Sequence, residues 1–126
     1  MAEVKNSFFR SIQMKERQLS ANYNHFLSVY DNINIDFYDT ILYEANSVYV
    51  EANQILTELS CRKRSMKMTL EKEQKYLDME KYVAYVNVTV YEKCFQRFNA
   101  EKTNGFSEAE IATLQNTEIG RILLSK

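Results

Sequence analysis

Proline is absent from this chain of 126 residues, and glycine occurs only at Gly105 and Gly120. The residues that normally punctuate hairpins and tight turns are thus missing from most of the chain, which argues against an all-β or α/β fold. Histidine occurs once, at His25. Zinc sites built on several histidines and di-iron bundles with two Glu-x-x-His motifs are therefore excluded by counting. The sequence has no Cys-x-x-Cys pair, no Gly-rich phosphate loop and no Gly-x-Ser-x-Gly elbow, and a Ser-His-Asp or Cys-His device would have to use that single imidazole. Carboxylate pairs survive the count, but the glutamates fall at helical spacings that a solvated face explains. No catalytic residue, cofactor or metal is expected.

Long apolar runs are also missing. None approaches the roughly 18 residues of a membrane-spanning helix, and the opening Met1-Ala2-Glu3-Val4-Lys5 lacks the apolar run and cleavage site of a secretory signal. The expectation is a soluble protein of the cytoplasm or nucleus, with Cys61 and Cys94 as unpaired thiols in a reducing compartment.

The residues present fit a single helical domain over 1–126. Hydrophobic residues make up 45% of the chain and charged ones 26%, a balance that is neither disordered nor membranous. From Phe9 the apolar residues step through Ile12, Leu19, Tyr23, Phe26, Tyr30, Ile33 and Phe37, a spacing of three and four broken only at Glu16. The step then slips, because Phe37, Ile41 and Ala45 are four apart twice before Val48, Ala52, Ile55 and Leu59 resume the alternation. Such a stutter locally unwinds a coiled coil. Asp31, Asn32, Asn34 and Asp36 lie at the same place and favour caps over helix interior. A helix boundary is expected between 31 and 36, with one continuous helix from about 6 to 62 as the rival.

The cations Arg62, Lys63 and Arg64 interrupt the second stripe, and a turn is expected near 63–69. Beyond it Tyr76, Met79, Val83, Val86 and Val90 form one stripe, while Leu77, Ala84, Val88, Tyr91, Phe95 and Phe98 form another. A helix apolar on two sides must be covered on two sides, so 70–101 is expected to be the central helix. A strand over 82–91 competes, since Val86, Val88 and Val90 alternate with Asn87 and Thr89. After Asn104-Gly105, Ser107 and Glu110 form a capping box, with Phe106 stapled onto Ile111. A short helix follows, with Gly120 loosening its second half. The expected fold is all-α: a three- to four-helix bundle or antiparallel coiled-coil assembly, with helices at about 6–30, 36–62, 68–101 and 108–124.

Charge is unevenly laid out along the chain, although the net formal charge is only −1. Residues 18–61 carry Asp31, Asp36, Asp39, Glu44, Glu51 and Glu58 with no lysine or arginine. Residues 62–75 reverse this with Arg62, Lys63, Arg64, Lys67, Lys72 and Lys75 against Glu71 and Glu73. Glu44, Glu51 and Glu58 occupy the flanking g positions of the second seam. Antiparallel pairing about residue 66 would set Glu58 opposite residue 74 and Glu51 opposite Lys81, and would keep Cys61 far from Cys94.

Two functions follow as expectations. The first is a non-enzymatic protein–protein interaction module, an adaptor, complex subunit or chaperone. It would bind a protein partner or a second copy through the seam Phe8, Phe9, Ile12, Leu19, Tyr23, Phe26 and Tyr30. The second is a nucleic-acid or anionic-membrane binder acting through Arg62, Lys63, Arg64 and Lys67. Nucleic acid is disfavoured along the first two helices, where no cation lies between Arg17 and Arg62. Replacing Arg62, Lys63, Arg64 and Lys67 by Gln is expected to abolish salt-dependent retention on anionic vesicles or nucleic acid. A wild-type chain with no such retention rules the basic turn out as an anion site.

Overall fold

The structure is a computed structural model that describes residues 2–65 and 69–125, with side chains described for 8–61 and 69–125. Among these residues there are five α-helices and one π turn, and no strand. Helix α1 spans Ala2–Tyr30, α2 Leu42–Ser65, α3 Leu70–Lys102, α4 Glu108–Asn116 and α5 Glu118–Leu124. The π turn, Phe37–Ile41, leads directly into α2. None of these helices is long and apolar enough to cross a membrane.

The break after α1 follows from the cap-forming residues. Asn32 N–H donates to the Val29 carbonyl, and the Asn32 side chain accepts from Asn34 N–H, so the chain turns where its polar side chains can replace helical hydrogen bonds. Asp36 then caps the π turn by accepting from Asp39 N–H at 3.0 Å. The stutter in the apolar spacing falls on this wider turn. Its i→i+5 bonds spread the residues of one turn further apart, so Phe37, Ile41 and Ala45, each four apart, all stay on the buried side. Ile33 does not continue the first seam as its spacing implies. It sits in the turn with 96% of its surface exposed.

Helices α1 and α2 run antiparallel. Lys15 Nζ meets Glu58 at 2.8 Å, and Asn22 Nδ2 donates to Glu51 at 3.1 Å, so two steps of seven residues match in opposite directions. Helix α3 returns antiparallel to α2 and parallel to α1. Asn87 on α3 donates to the Tyr49 carbonyl and to Asn53 on α2, Tyr82 donates to Ser20 on α1, and the Tyr30 hydroxyl donates to the Lys93 carbonyl. The antiparallel α2–α3 pairing agrees with the sequence, but the facing partners of the acidic g positions do not. Glu58, Glu51 and Glu44 turn toward Lys15, Asn22 and His25 of α1 rather than toward α3. In a three-helix bundle the two flanks of one stripe face different neighbours, and the pairing rule for two helices assigns both flanks to one.

One core runs through the bundle. Ile12, Leu19 and Phe26 of α1, Val48, Ala52 and Ile55 of α2, and Val83, Val86 and Val90 of α3 are all buried in it. The strand alternative over 82–91 fails because Val86 and Val90 point inward from a continuous helix while Val88 points out. The central element is α2, which meets α1, α3 and α5. Helix α3 buries one of its apolar stripes and leaves the other half-covered, so the expectation that it occupies the centre is corrected.

The capping box forms as read, with Ser107 Oγ accepting from Glu110 N–H and Glu110 accepting from Ser107 N–H at 2.8 Å. The expected C-terminal helix is divided, however. Thr117 adopts extended backbone between α4 and α5 and caps α5 by accepting from Gly120 N–H. The Ile119 N–H finds Asn46 Oδ1 on α2 at 3.0 Å, so a long-range partner takes up a donor that the break leaves free. Gly120 does not loosen this segment. It lets α5 close on the end of α4, for a Cβ there would collide with the Leu114 carbonyl and the Thr117 hydroxyl. Gly120→Ala is expected to destabilise the fold by about 1–3 kcal/mol, the range for overpacking a filled site. Urea denaturation measures this, and an unchanged midpoint would show that the close approach is not needed.

Candidate functional site

The proposed first-helix seam lies inside the fold. Ile12, Leu19, Tyr23 and Phe26 are buried against the rest of the chain, and Phe8, Phe9 and Tyr30 are half-buried on the margin of the same core. Tyr76 of α3 receives Phe9 edge-on at 5.3 Å and Phe8 in a stacked arrangement at 6.3 Å. Tyr30 packs against Phe26 and Phe37, with Lys93 Nζ above its ring at 4.9 Å. The facing helices that a narrow seam requires are this chain's own α2 and α3. Burial is the main reason the Tyr23 phenol is held above its ordinary pKa, with Tyr85 and Thr89 as hydrogen-bonding neighbours.

Of the basic group, Arg62, Lys63 and Arg64 fall in the last turn of α2, with side chains outside the described residues, and Lys67 lies wholly outside them. Lys72 and Lys75 are described on the first turns of α3, where Thr69 caps the helix by accepting from Lys72 N–H. With Phe9, Thr69 and Glu71 they line a surface cavity of about 250 Å³.

Among the described residues no group of three or more His, Cys, Asp or Glu side chains is arranged to hold a metal ion. His25 Nε2 stands 3.7 Å from Glu44 on the surface. Tyr38 is the most perturbed phenol. Buried beside the Glu101 carboxylate and edge-on to Phe37 and Phe106, it stays protonated far above its ordinary range, burial being the larger cause. Arg97 lies over the Phe37 ring and pairs with Glu101, which completes a junction joining the π turn, α3 and the start of α4. This group couples elements of the fold.

A run of incompletely covered apolar side chains lies along the second stripe of α3. Leu77, Ala84, Tyr91 and Phe95 are half-buried, and Val88 between them is 51% exposed. Tyr91 and Phe95 stack at 6.1 Å, which makes one flat aromatic element of two side chains. From Ala84 the steps to Val88, Tyr91, Phe95 and Phe98 alternate four and three, the spacing of a coiled-coil seam. Only its end is closed, where buried Phe98 stacks on Phe106 at 5.1 Å. The stripe is visible in the sequence as apolar, but apolar spacing alone does not say which of the two stripes on α3 is covered.

No family model matches the chain, and no curated protein or solved structure is similar to it.

The two thiols differ in environment. Cys61 is exposed on α2, whereas Cys94 is buried in the core, where desolvation pushes its pKa up to about 12. Only the thiolate attacks a disulfide reagent. One equivalent of thiol is therefore expected to react quickly with an aromatic disulfide in the native protein, and the second only after denaturation. Two fast equivalents under native conditions would contradict the burial of Cys94.

Proposed function

We propose that this chain is a non-enzymatic protein–protein interaction module that receives an amphipathic helix of a partner along the second stripe of α3. The observation that carries this reading is the half-covered seam Ala84, Val88, Tyr91 and Phe95. A row of apolar side chains at coiled-coil spacing is completed by another helix laid alongside. The stacked Tyr91–Phe95 pair supplies a rigid aromatic contact of the kind that dominates interface energies. Exposed Tyr85 flanks the seam and adds a hydroxyl to its rim.

This relocates the contact surface proposed on α1, whose seam residues serve the fold. The role stays in the same class, an adaptor or complex subunit with no catalysis of its own. A reducing, intracellular setting accords with two free thiols on one small chain.

Val88→Glu places a charge in the middle of the seam at a position already half solvated, so the fold should tolerate it. Helical circular dichroism should be unchanged while capture of the partner from native extract falls by about tenfold or more, the equivalent of roughly 1.4 kcal/mol. A photo-crosslinking amino acid placed at position 88 should label an amphipathic helical segment of that partner. Capture that survives Val88→Glu, or crosslinks to no defined segment, overturns the assignment.

A further inference from the structure

The bundle has two unlike ends. Because α1 and α3 run parallel and α2 opposes them, one end gathers the C-termini of α1 and α3 and the other gathers their N-termini. Each helix carries roughly half an elementary charge at its ends, positive at the N-terminus and negative at the C-terminus. Two helices against one leave a dipole uncancelled. Side-chain charge is laid out in the same sense.

The negative end carries the turn after α1, with Asp31, Asp36 and Asp39, and no basic residue occupies the last turn of α1. Lys93 and Arg97 lie on the α3 side of this end, each above an aromatic ring, and Arg97 pairs with Glu101. At the tip stands Ile33, 96% exposed, on a turn fixed by Asn34 N–H donating to Asn32 Oδ1 and by Ile35 N–H donating to the Asn32 carbonyl. A fully solvated isoleucine on an ordered turn is a preformed apolar knob with an acidic collar.

The opposite end offers its counterpart. The cavity of about 250 Å³ there is lined by Phe9, Thr69, Glu71, Lys72 and Lys75. Lysine stems cover apolar surface while their ammonium groups reach outward. Among the lining residues Lys72 and Lys75 stand against Glu71, which pairs with Lys75 at 4.0 Å, so one positive charge is left over, and the positive N-termini of α1 and α3 lie at the same end. A cavity lined by an aromatic ring and two lysines fits an apolar knob with an anionic collar.

The two ends cannot meet within one chain. Residues 9 and 30 lie on the same straight helix, about 32 Å apart at 1.5 Å per residue. We infer that a second copy of this chain is the occupant, with Ile33 of one copy seated on Phe9 between Lys72 and Lys75 of the next. The contact joins two different surfaces, so each added copy leaves a free knob at one end and a free cavity at the other. Such a head-to-tail arrangement gives an open chain, or a ring where its rotation closes, instead of a two-fold dimer. This surface is separate from the α3 seam, and the inference does not rest on the partner helix proposed for it.

Sedimentation velocity on the full chain tests the inference. At about 10 mM salt the Debye length is about 30 Å, whereas at 1 M it is about 3 Å. Weight-average mass should rise with concentration above the 14.9 kDa of one chain at low salt and return to one chain at high salt. Ile33→Asp, at a position that buries nothing in the monomer, should weaken association by about tenfold or more. The decisive arm mixes two variants. Asp31→Lys with Asp39→Lys, both exposed, takes the collar of three aspartates to a net positive charge, and Lys72→Glu with Lys75→Glu reverses the rim. Each variant alone should be monomeric, and an equimolar mixture should associate again. A wild type that is monomeric at every salt concentration overturns the inference, and so does a mixture that stays monomeric. Association lost on Val88→Glu but kept on Ile33→Asp would also overturn it and would give self-association to the α3 seam.

Discussion

The fold rests on how the central stripe of α2 is filled from both sides. Ala45, Val48, Ala52, Ile55 and Leu59 are all fully or almost fully buried, and two of the five are alanines. Small side chains on the middle helix leave room for large ones on its neighbours. Among the α-helices the buried aromatic residues accordingly come from the flanks, with Tyr23 and Phe26 on α1 and Tyr76 and Phe98 on α3. Interiors are packed to crystal-like density, so this division of large and small fixes which helices can be adjacent. The polar contacts follow the packing. Lys15–Glu58 is an exposed pair, and pairs of that kind contribute about 0.2–1 kcal/mol, enough to favour a register already set by the core.

The all-α class and the burial of one stripe per helix were legible in the sequence, because apolar spacing at three and four leaves few alternatives when turn-forming residues are missing. The capping box at Ser107 and Glu110 was legible for a related reason, since both of its hydrogen bonds are local. The neighbours of Glu44, Glu51 and Glu58 were not. Periodicity identifies a flank of a helix but not the helix it faces, and three packed helices allow two answers for each flank. The division at Thr117 was missed although Thr117 is an ordinary capping residue, because its stability draws on the bond from Ile119 N–H to Asn46, 73 residues earlier in the chain. A local reading carries no information about that partner.

The stutter after Phe37 connects these two kinds of information. A shift in apolar spacing can be absorbed by ending a helix, by unwinding it or by exposing a residue, and the sequence alone does not choose. This chain uses all three within a few residues: α1 stops at Tyr30, Ile33 is exposed, and the turn from Phe37 to Ile41 widens. The widened turn has a structural consequence. It brings Phe37 and Tyr38, adjacent in sequence, into one aromatic group, where Phe37 meets Tyr30 while Tyr38 meets Phe106. In a regular helix adjacent side chains diverge by about 100°. The π turn thus lets a single corner hold both the end of α1 and the start of the C-terminal helices.

That corner also sets the separation between folding and contact surfaces. By anchoring Phe106, it directs the chain after α3 back over the π turn and onto α2, where α5 meets Asn46. The C-terminal helices are thereby used up on α2, on α3 and on the π turn, and Phe98 is closed over while Val88 is left half bare. About three helical turns of apolar seam, from Ala84 to Phe95, remain because α4 and α5, at nine and seven residues, are too short to run the length of a helix of 33 residues. A single long fourth helix would have covered the stripe and made a closed bundle. Its division at Thr117, supported by Asn46 and by the close approach at Gly120, leaves the α3 surface available to another molecule.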